Sequence, residues 1–155
     1  MPWFSKKKKT QEEEEEKKCT GTLGDLSHTQ QKWLAHFKTT IKEQELTTDP
    51  RYDDYYLLRF CRARGFDIER VSEMFINFLE WRRENNVDQA MVIYTCPNIP
   101  AVKAIYNCGY HSTDREGRPF YIDQPCKVEI DDIFNLISKE EIIQYYIREY
   151  EYLQM

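Results

Sequence analysis

Apolar residues recur at intervals of three and four along the first half of the chain. The first set predicts an amphipathic helix that ends near Leu46; its members are Trp33, Leu34, Phe37 and Ile41. Ser27 and Gln30 have the spacing of a capping box at the start of this helix. The sequence TTDP ends it, because the residue before Pro50 is pushed out of helical geometry.

Two further helices follow after short links. The second is predicted to begin at Asp53 or Asp54, whose carboxylates suit unpaired amides, and to end at Arg64. Gly65 favours the left-handed conformation of a helix C-cap, and Asp67 is placed to cap the third helix at once. The third helix ends at a pair of asparagines, and its apolar face includes Ile68, Val71, Phe75 and Phe78. Together the three helices predict a small helical bundle.

The second half of the chain mixes helical and strand patterns. A helix is predicted from Ile99 to Gly109. The sequence YHSTDREGRPFYID then predicts a β-hairpin with strands at Tyr110–Thr113 and Phe120–Asp123. Gly117 suits the positive φ of the turn. Pro119 has no amide hydrogen, so it begins its strand or lies at an edge.

The last helix has an aromatic face. A second capping-box spacing, Ser138 to Glu141, predicts its start. Its apolar positions are Ile142, Ile143, Tyr146, Ile147, Tyr150 and Leu153. A two-stranded hairpin with few helices is too small to bury such a face. We therefore expect that the chain is part of a longer domain, or that it closes its second core by association.

The charge of the chain limits its partners. The net charge of the 155 residues is −5, which argues against a nucleic-acid partner, because phosphate neutralisation normally needs a basic face. No apolar run approaches the roughly eighteen residues of a membrane span, and the N-terminus lacks the apolar stretch of a secretory signal. These features predict a soluble, cytoplasmic protein that could still associate peripherally with a membrane surface.

Residues 1–25 form a block of alternating charge, with Lys6–Lys9 followed by Glu12–Glu16. Such a segment is typical of a disordered tail or a solvated helix. Trp3 and Phe4 beside the lysines suggest a membrane-surface anchor instead, since each lysine contributes about 1 kcal/mol near an anionic leaflet. The adjacent glutamates oppose this attraction, and both interpretations stay open.

The chain has no recognisable catalytic or metal-binding motif. Its five cysteines are Cys19, Cys61, Cys96, Cys108 and Cys126, with no CxxC pair, which is typical of free thiols in a reducing compartment. Cys108 and His111 alone are a weak metal signature. Because HExxH, GxSxG and P-loop sequences are also missing, we predict a protein without enzymatic activity, metal or cofactor.

The order of these features resembles a known family. The segments DDYYLLRFCRARGFD, FINFLEWRREN, YHSTDREGRPFYI and IIQYYIREYEYL together are similar to the CRAL-TRIO lipid-binding family, in particular its phosphatidylinositol-transfer-protein branch. The resemblance implies an N-terminal helical bundle at residues 26–92. It also implies that residues 93–155 begin an α/β lobe with a β-hairpin, which the chain encodes only in part. The expected fold class is α/β, mainly α in this chain.

The resemblance implies that the ligand is a phospholipid or another hydrophobic molecule, bound in an apolar pocket and exchanged with membranes. Arg64 is the family-derived candidate for a phosphate ligand, since a guanidinium makes charge-assisted bonds to phosphate. Family members that bind phosphatidylinositol usually have a lysine immediately after it, whereas this chain has Gly65. Alternatively, Arg59, Arg62 and Arg64 stabilise a helix C-terminus and pair with carboxylates.

Tyr110 and Tyr121 are the second pair of candidates that the resemblance implies. They match hairpin positions where related proteins direct tyrosines toward phosphatidylcholine, whose choline cation an aromatic ring attracts and whose phosphate a hydroxyl can contact. Core packing with exposed hydroxyls is an equally open interpretation. Strand alternation places Ser112 on the face of Tyr110 and His111 on the opposite, exposed face.

A different class of function also fits the pattern. The bundle and the charged tail could form a protein-interaction or regulatory module that transfers no lipid. If lipid binding is correct, the chain alone should not hold a phospholipid stably, because it lacks the elements that would remove two acyl chains from water at about 0.8 kcal/mol per CH₂.

Overall fold

A computed structural model describes residues 19–154, so the predictions for the charged segment before Cys19 lie outside the described residues. Between residues 19 and 154 the chain has seven α-helices and one two-stranded antiparallel sheet. This confirms a mainly helical chain with a β-hairpin. The chain divides into two compact units, residues 1–81 and 82–155. The predicted domain boundary between residues 92 and 93 stays a prediction.

The elements are as follows in chain order. The helices are α1 (His28–Glu43), α2 (Asp54–Ala63), α3 (Ile68–Glu84), α4 (Ala90–Ile93), α5 (Ile99–Ile105), α6 (Ile130–Leu136) and α7 (Lys139–Tyr152). The strands are β1 (Cys108–Thr113) and β2 (Pro119–Asp123), and two 3₁₀ turns lie at Val87–Gln89 and Pro125–Lys127.

The starts of the first two helices follow the predicted caps. The Ser27 amide donates to Gln30 Oε1 over 3.0 Å, and the Gln30 amide donates to Ser27 Oγ over 3.2 Å, which confirms the capping box. The Asp53 carboxylate accepts from the Tyr56 amide over 2.8 Å. These bonds satisfy amides that have no partner inside a helix.

The link between α2 and α3 is a tight corner. Gly65 and Phe66 both have left-handed φ values, +58° and +61°. The Phe66 amide donates to the carbonyl of Cys61 over 2.7 Å, and the Phe66 side chain packs against the core of the first unit. The Asp67 carboxylate then accepts from the Arg70 amide over 3.2 Å at the start of α3. The predicted glycine corner is therefore confirmed.

The first unit has one continuous aromatic core. Phe37 and Phe75 are fully buried with ring centroids 5.5 Å apart in an edge-to-face arrangement. Phe60 packs edge-on against Phe75 at 5.1 Å. Such pairs add roughly 0.5–1.5 kcal/mol each beyond the area that they bury. At the start of this unit Gly21, with φ +73°, lies against the Phe66 ring, where a Cβ would come within 3.1 Å.

The second unit has two smaller clusters of buried residues. One cluster contains Cys96, Ile99, Val102, Ile137 and Tyr145. The other contains Val87, Ala90 and Ile147. Both clusters include residues of α7, so this helix is the element around which the second unit is organised.

The hairpin has a regular half and an irregular half. Cys108 pairs with Asp123 and Tyr110 with Tyr121, but the register shifts between Tyr110 and Thr113, where Ser112 has φ +60°. Strand β2 begins at Pro119, as predicted. The helix before the hairpin ends at Ile105 rather than at Gly109, because Tyr106 is already extended and its hydroxyl donates to Asp123 over 2.5 Å.

Candidate functional site

Six tyrosines lie on the hairpin, in the segment before it and on α7 in the second unit. The group, named here the tyrosine cluster, consists of Tyr106, Tyr110, Tyr121, Tyr145, Tyr146 and Tyr150. Tyr110 and Tyr121 are cross-strand partners with ring centroids 5.0 Å apart and an interplanar angle of 64°. On α7, the Tyr146 ring lies 5.4 Å from Tyr145 and 6.1 Å from Tyr150. The structure thus places the two predicted hairpin tyrosines side by side.

Helical spacing shows which residues of α7 lie on one side of the helix. Residues four apart lie on the same side of a helix, so Ile142, Tyr146 and Tyr150 share one face. Burial is the main cause of the raised pKa of Tyr110 and of Tyr121, and Tyr150 and Tyr146 respectively add smaller electrostatic contributions. The apolar periodicity of the sequence predicts that Tyr146 and Tyr150 lie on one face of α7, but it does not indicate a binding site.

Five tyrosines of the cluster have raised pKa values, namely Tyr106, Tyr110, Tyr121, Tyr145 and Tyr146. Burial raises the pKa of Tyr110, with smaller contributions from Glu149 and Tyr150. Burial also raises the pKa of Tyr145 and of Tyr146, whereas the hydrogen bond to Asp123 is the main cause for Tyr106. A tyrosine hydroxyl is already protonated at neutral pH, and the raised pKa values extend this protonation to more alkaline pH. These hydroxyls are therefore hydrogen-bond donors rather than anions.

The Tyr121 hydroxyl is the unusual group of the cluster. It is buried and has no hydrogen-bond partner of standard geometry among residues 19–154. Burial and the neighbouring Cys108 thiol raise the pKa of Tyr121. A buried hydroxyl without a partner costs about 1–3 kcal/mol, so this position favours a ligand that brings an acceptor. Tyr110, by contrast, is 37% exposed and presents part of its ring to the surface.

Arg64 lies in the other unit, at the C-cap of α2. Its side chain is half-buried, and Nη1 donates to the Ala63 carbonyl over 3.3 Å. Arg59 instead stacks over the Tyr56 ring at 4.9 Å, and Arg62 Nε donates to the Leu58 carbonyl over 3.4 Å. Arg59 therefore contacts a ring one turn earlier in α2, and Arg62 contacts a carbonyl of the same helix. Among residues 19–154, no ion pair with a carboxylate holds Arg64.

A separate pocket lies on another face of α7. Its volume is about 400 Å³, and its lining includes Cys96, Ile99, Lys103, Tyr145 and Arg148. Burial raises the pKa of the Cys96 thiol, which keeps it protonated and poorly nucleophilic. The pocket therefore offers no activated nucleophile.

Two predicted absences concern the described part of the chain. No group of three or more metal-ligating side chains occurs within it, and His111 is exposed on β1 as predicted. None of the helices between residues 19 and 154 combines the length and the apolar content of a bilayer span.

Comparison with known proteins identifies the family. Residues 4–77 match the family "CRAL/TRIO, N-terminal domain". The chain is 35% identical over 131 residues to the SEC14 cytosolic factor of Eremothecium gossypii, which covers 84% of this chain and 42% of the relative. It is 37% identical over 123 residues to the phosphatidylinositol/phosphatidylcholine transfer protein SFH9 of Arabidopsis thaliana, covering 79% of this chain and 21% of the relative.

Residues 4–77 belong to the CRAL-TRIO N-terminal domain family, and the chain is similar to SEC14 cytosolic factors and to a phosphatidylinositol/phosphatidylcholine transfer protein. A SEC14 cytosolic factor of Schizosaccharomyces pombe shows the same relationship, at 35% identity over 87% of this chain and 46% of the relative. The chain thus spans less than half the length of these curated relatives. SFH9 is named as a lipid transfer protein and not as an enzyme. This name agrees with the prediction of a non-catalytic protein, and it does not favour the alternative of an interaction module that transfers no lipid.

Proposed function

We propose that the tyrosine cluster is the headgroup end of a phospholipid site, and that the protein transfers phosphatidylinositol and phosphatidylcholine between membranes. The buried, unpartnered hydroxyl of Tyr121 carries this proposal. A phospholipid phosphate would supply the missing acceptor, and the rings of Tyr110 and Tyr150 would contact a choline cation. The cytosol, with transient contact to membranes, is the compartment that suits this activity.

The proposal is tested by the substitution Tyr121→Phe, which removes the hydroxyl and keeps the ring. Residues 26–154 would replace the matching segment of the Eremothecium SEC14 cytosolic factor, and transfer of labelled phosphatidylcholine between vesicles would be measured. We expect transfer to fall about tenfold, because a hydrogen bond to a charged phosphate is lost. Stability should stay equal or rise, since the variant no longer buries an unsatisfied hydroxyl.

Tyr55→Phe is the matched control. It removes the same atom from a tyrosine that is 67% exposed in the first unit, so transfer should be unchanged. If Tyr121→Phe transfers phosphatidylcholine as fast as the unsubstituted chimaera, the Tyr121 hydroxyl does not contact the headgroup. A chimaera without any transfer of either lipid, although folded, would contradict the proposed function as a whole.

Arg64 is proposed as the phosphate ligand for phosphatidylinositol. Within residues 19–154 its guanidinium donates only to a neighbouring carbonyl, and it has further N–H donors that suit a phosphate. In the same chimaera, Arg64→Gln should lower transfer of phosphatidylinositol more than transfer of phosphatidylcholine, whereas Arg59→Gln should affect neither. Equal losses for both lipids would assign Arg64 a structural role.

A further inference from the structure

The pocket beside α7 has an apolar floor. Three of its lining residues, Cys96, Ile99 and Tyr145, are each 8% exposed and belong to one cluster of buried residues. This cluster connects α5 with α7, so two helices of the second unit hold the floor in place. The pocket volume of about 400 Å³ lies within the range of small-molecule sites. Such a volume suits one short apolar group rather than the two long acyl chains of a phospholipid.

The lining of the pocket also contains two cations. Lys103 Nζ lies 5.2 Å from the centroid of the Tyr145 ring, which places this ammonium beside the floor. Arg148 Nη1 donates to the Tyr94 carbonyl over 3.1 Å, and this bond uses one of the five N–H donors of the guanidinium. Among residues 19–154, neither cation forms an ion pair with a carboxylate. Both cations therefore have further N–H donors that suit an anion bound in the pocket.

The charge of the lining favours an anion with a single negative charge. Among the described residues that line the pocket, Glu149 is the only carboxylate. Two cations and one carboxylate leave the lining with a formal charge of +1, which one carboxylate group on a ligand would balance. A phosphate monoester carries about −1.5 to −2 at neutral pH, so Glu149 would repel it more strongly.

We propose that this pocket binds a small monocarboxylate with a short apolar chain. The carboxylate contacts Lys103 and Arg148, and the chain covers Ile99. The hairpin residues Tyr110 and Tyr121 do not line the pocket, so this inference is independent of the proposed headgroup site. It also agrees with the expectation that the chain alone does not hold a phospholipid, since a ligand with one short chain has much less apolar surface to remove from water.

The test is a titration of the full, isotopically labelled chain with octanoate, followed through its backbone amides by NMR. Octanol has the same chain without the charge, and octyl phosphate has the same chain with more charge. We expect saturable shifts at residues 95–103 and 145–149, with octanoate bound about tenfold more tightly than either competitor, because charged hydrogen bonds are lost or opposed. Decanoate should bind about fifteenfold more tightly than octanoate, since each of its two added methylenes contributes about fourfold.

Single substitutions assign the charges of the pocket. Lys103→Gln should weaken octanoate binding about tenfold and leave octanol binding unchanged. The matched control is Lys127→Gln, at an exposed lysine outside the pocket, which should change neither. Glu149→Gln should tighten octanoate binding about fivefold, and octyl phosphate binding more, because it removes a like charge. Thermal unfolding checks that each variant is folded, and Glu149→Gln keeps the test decisive if Lys103→Gln is unstable.

Four results would overturn the inference. They are equal affinities for octanoate and octanol, equal losses from Lys103→Gln and Lys127→Gln, no gain from a folded Glu149→Gln variant, and no saturable shift with monomeric octanoate and decanoate. None of them bears on the headgroup site, which the transfer measurement with Tyr121→Phe tests separately.

Discussion

The two units of the chain bury their apolar residues to different extents. The first unit encloses a single aromatic core around Phe37 and Phe75. In the second unit large apolar side chains remain at the surface, among them Val92 at 83% exposure, Ile130 at 66% and Phe134 at 51%. Both units are built from amphipathic helices, so the helix pattern alone does not decide how completely a unit buries its apolar residues. What differs is the number of apolar faces that find a partner within 155 residues.

The largest expected effect compares the same substitution in the two units. Phe75→Ala should lower the free energy of unfolding by about 3–5 kcal/mol, because it removes a fully buried ring from an interlocked core. Phe134→Ala, at a half-exposed ring in the second unit, should cost less than about 1 kcal/mol. Urea denaturation followed by circular dichroism measures both values. If both substitutions lowered the free energy of unfolding by similar amounts, the two units would not differ in how strongly buried rings stabilise them.

A second prediction uses the buried thiol of the first unit. Burial raises the pKa of Cys61 to about 11, from 9.0 for a free thiol. The folded state holds the proton more tightly than the unfolded state, so its stabilising contribution is complete below pH 9 and is lost as the pH rises through 11. Two pKa units correspond to roughly 2–3 kcal/mol.

Cys61→Ala isolates this effect, since the variant shares every other ionisation. The difference in unfolding free energy between wild type and Cys61→Ala should shrink between pH 9 and pH 11. The exposed Cys126 of the second unit provides the control, as Cys126→Ser should give a difference that does not change in this range. A pH-independent difference for Cys61→Ala would contradict the prediction.

The smallest effect compares helix caps. Ser27 exchanges two hydrogen bonds with Gln30, whereas the predicted partner of Ser138, Glu141, directs its carboxylate to the Asn98 side chain at 3.1 Å. Both serines still accept a bond from the third amide of their helix. Ser27→Ala and Ser138→Ala should each cost about 1 kcal/mol, with Ser27 at least as costly. In thermal unfolding experiments, threonine at each position should restore most of the stability. If Ser27→Ala does not lower the stability, the capping box does not stabilise the helix.

Local signals explain which elements could be predicted from the sequence. The caps at Ser27 and Asp53, the Gly65 corner and the Pro119 strand start each depend on a few neighbouring residues, and all are confirmed. Helix α6 was not predicted, although Ile130, Ile133, Phe134 and Ile137 have helical spacing. The helix has only seven residues, and its N-cap residue Glu129 makes no side-chain capping bond, so no local signal marks its start. The end of α5 was misplaced because Tyr106 leaves the helix to reach Asp123, a contact seventeen residues away.

The candidate site was predictable only in part for the same reason. Tyr110 and Tyr121 are linked by hairpin register, which turn residues specify locally. The ion pair between Arg82 and Glu151 in the second unit joins residues 69 positions apart, so it has no local signature. Arg64, Tyr110 and Tyr121 stay predictions as ligand contacts until the lipid experiments are done.

The irregular half of the hairpin has a consequence for how the isolated chain behaves in concentrated solution. A two-stranded sheet has two open edges, and open edges recruit strands from other copies into aggregates. The kink at Ser112 interrupts such recruitment on β1, and Pro119 removes a donor from β2. Fibrous assembly, where it occurs, should therefore start at the flat end formed by Cys108–Tyr110 and Tyr121–Asp123.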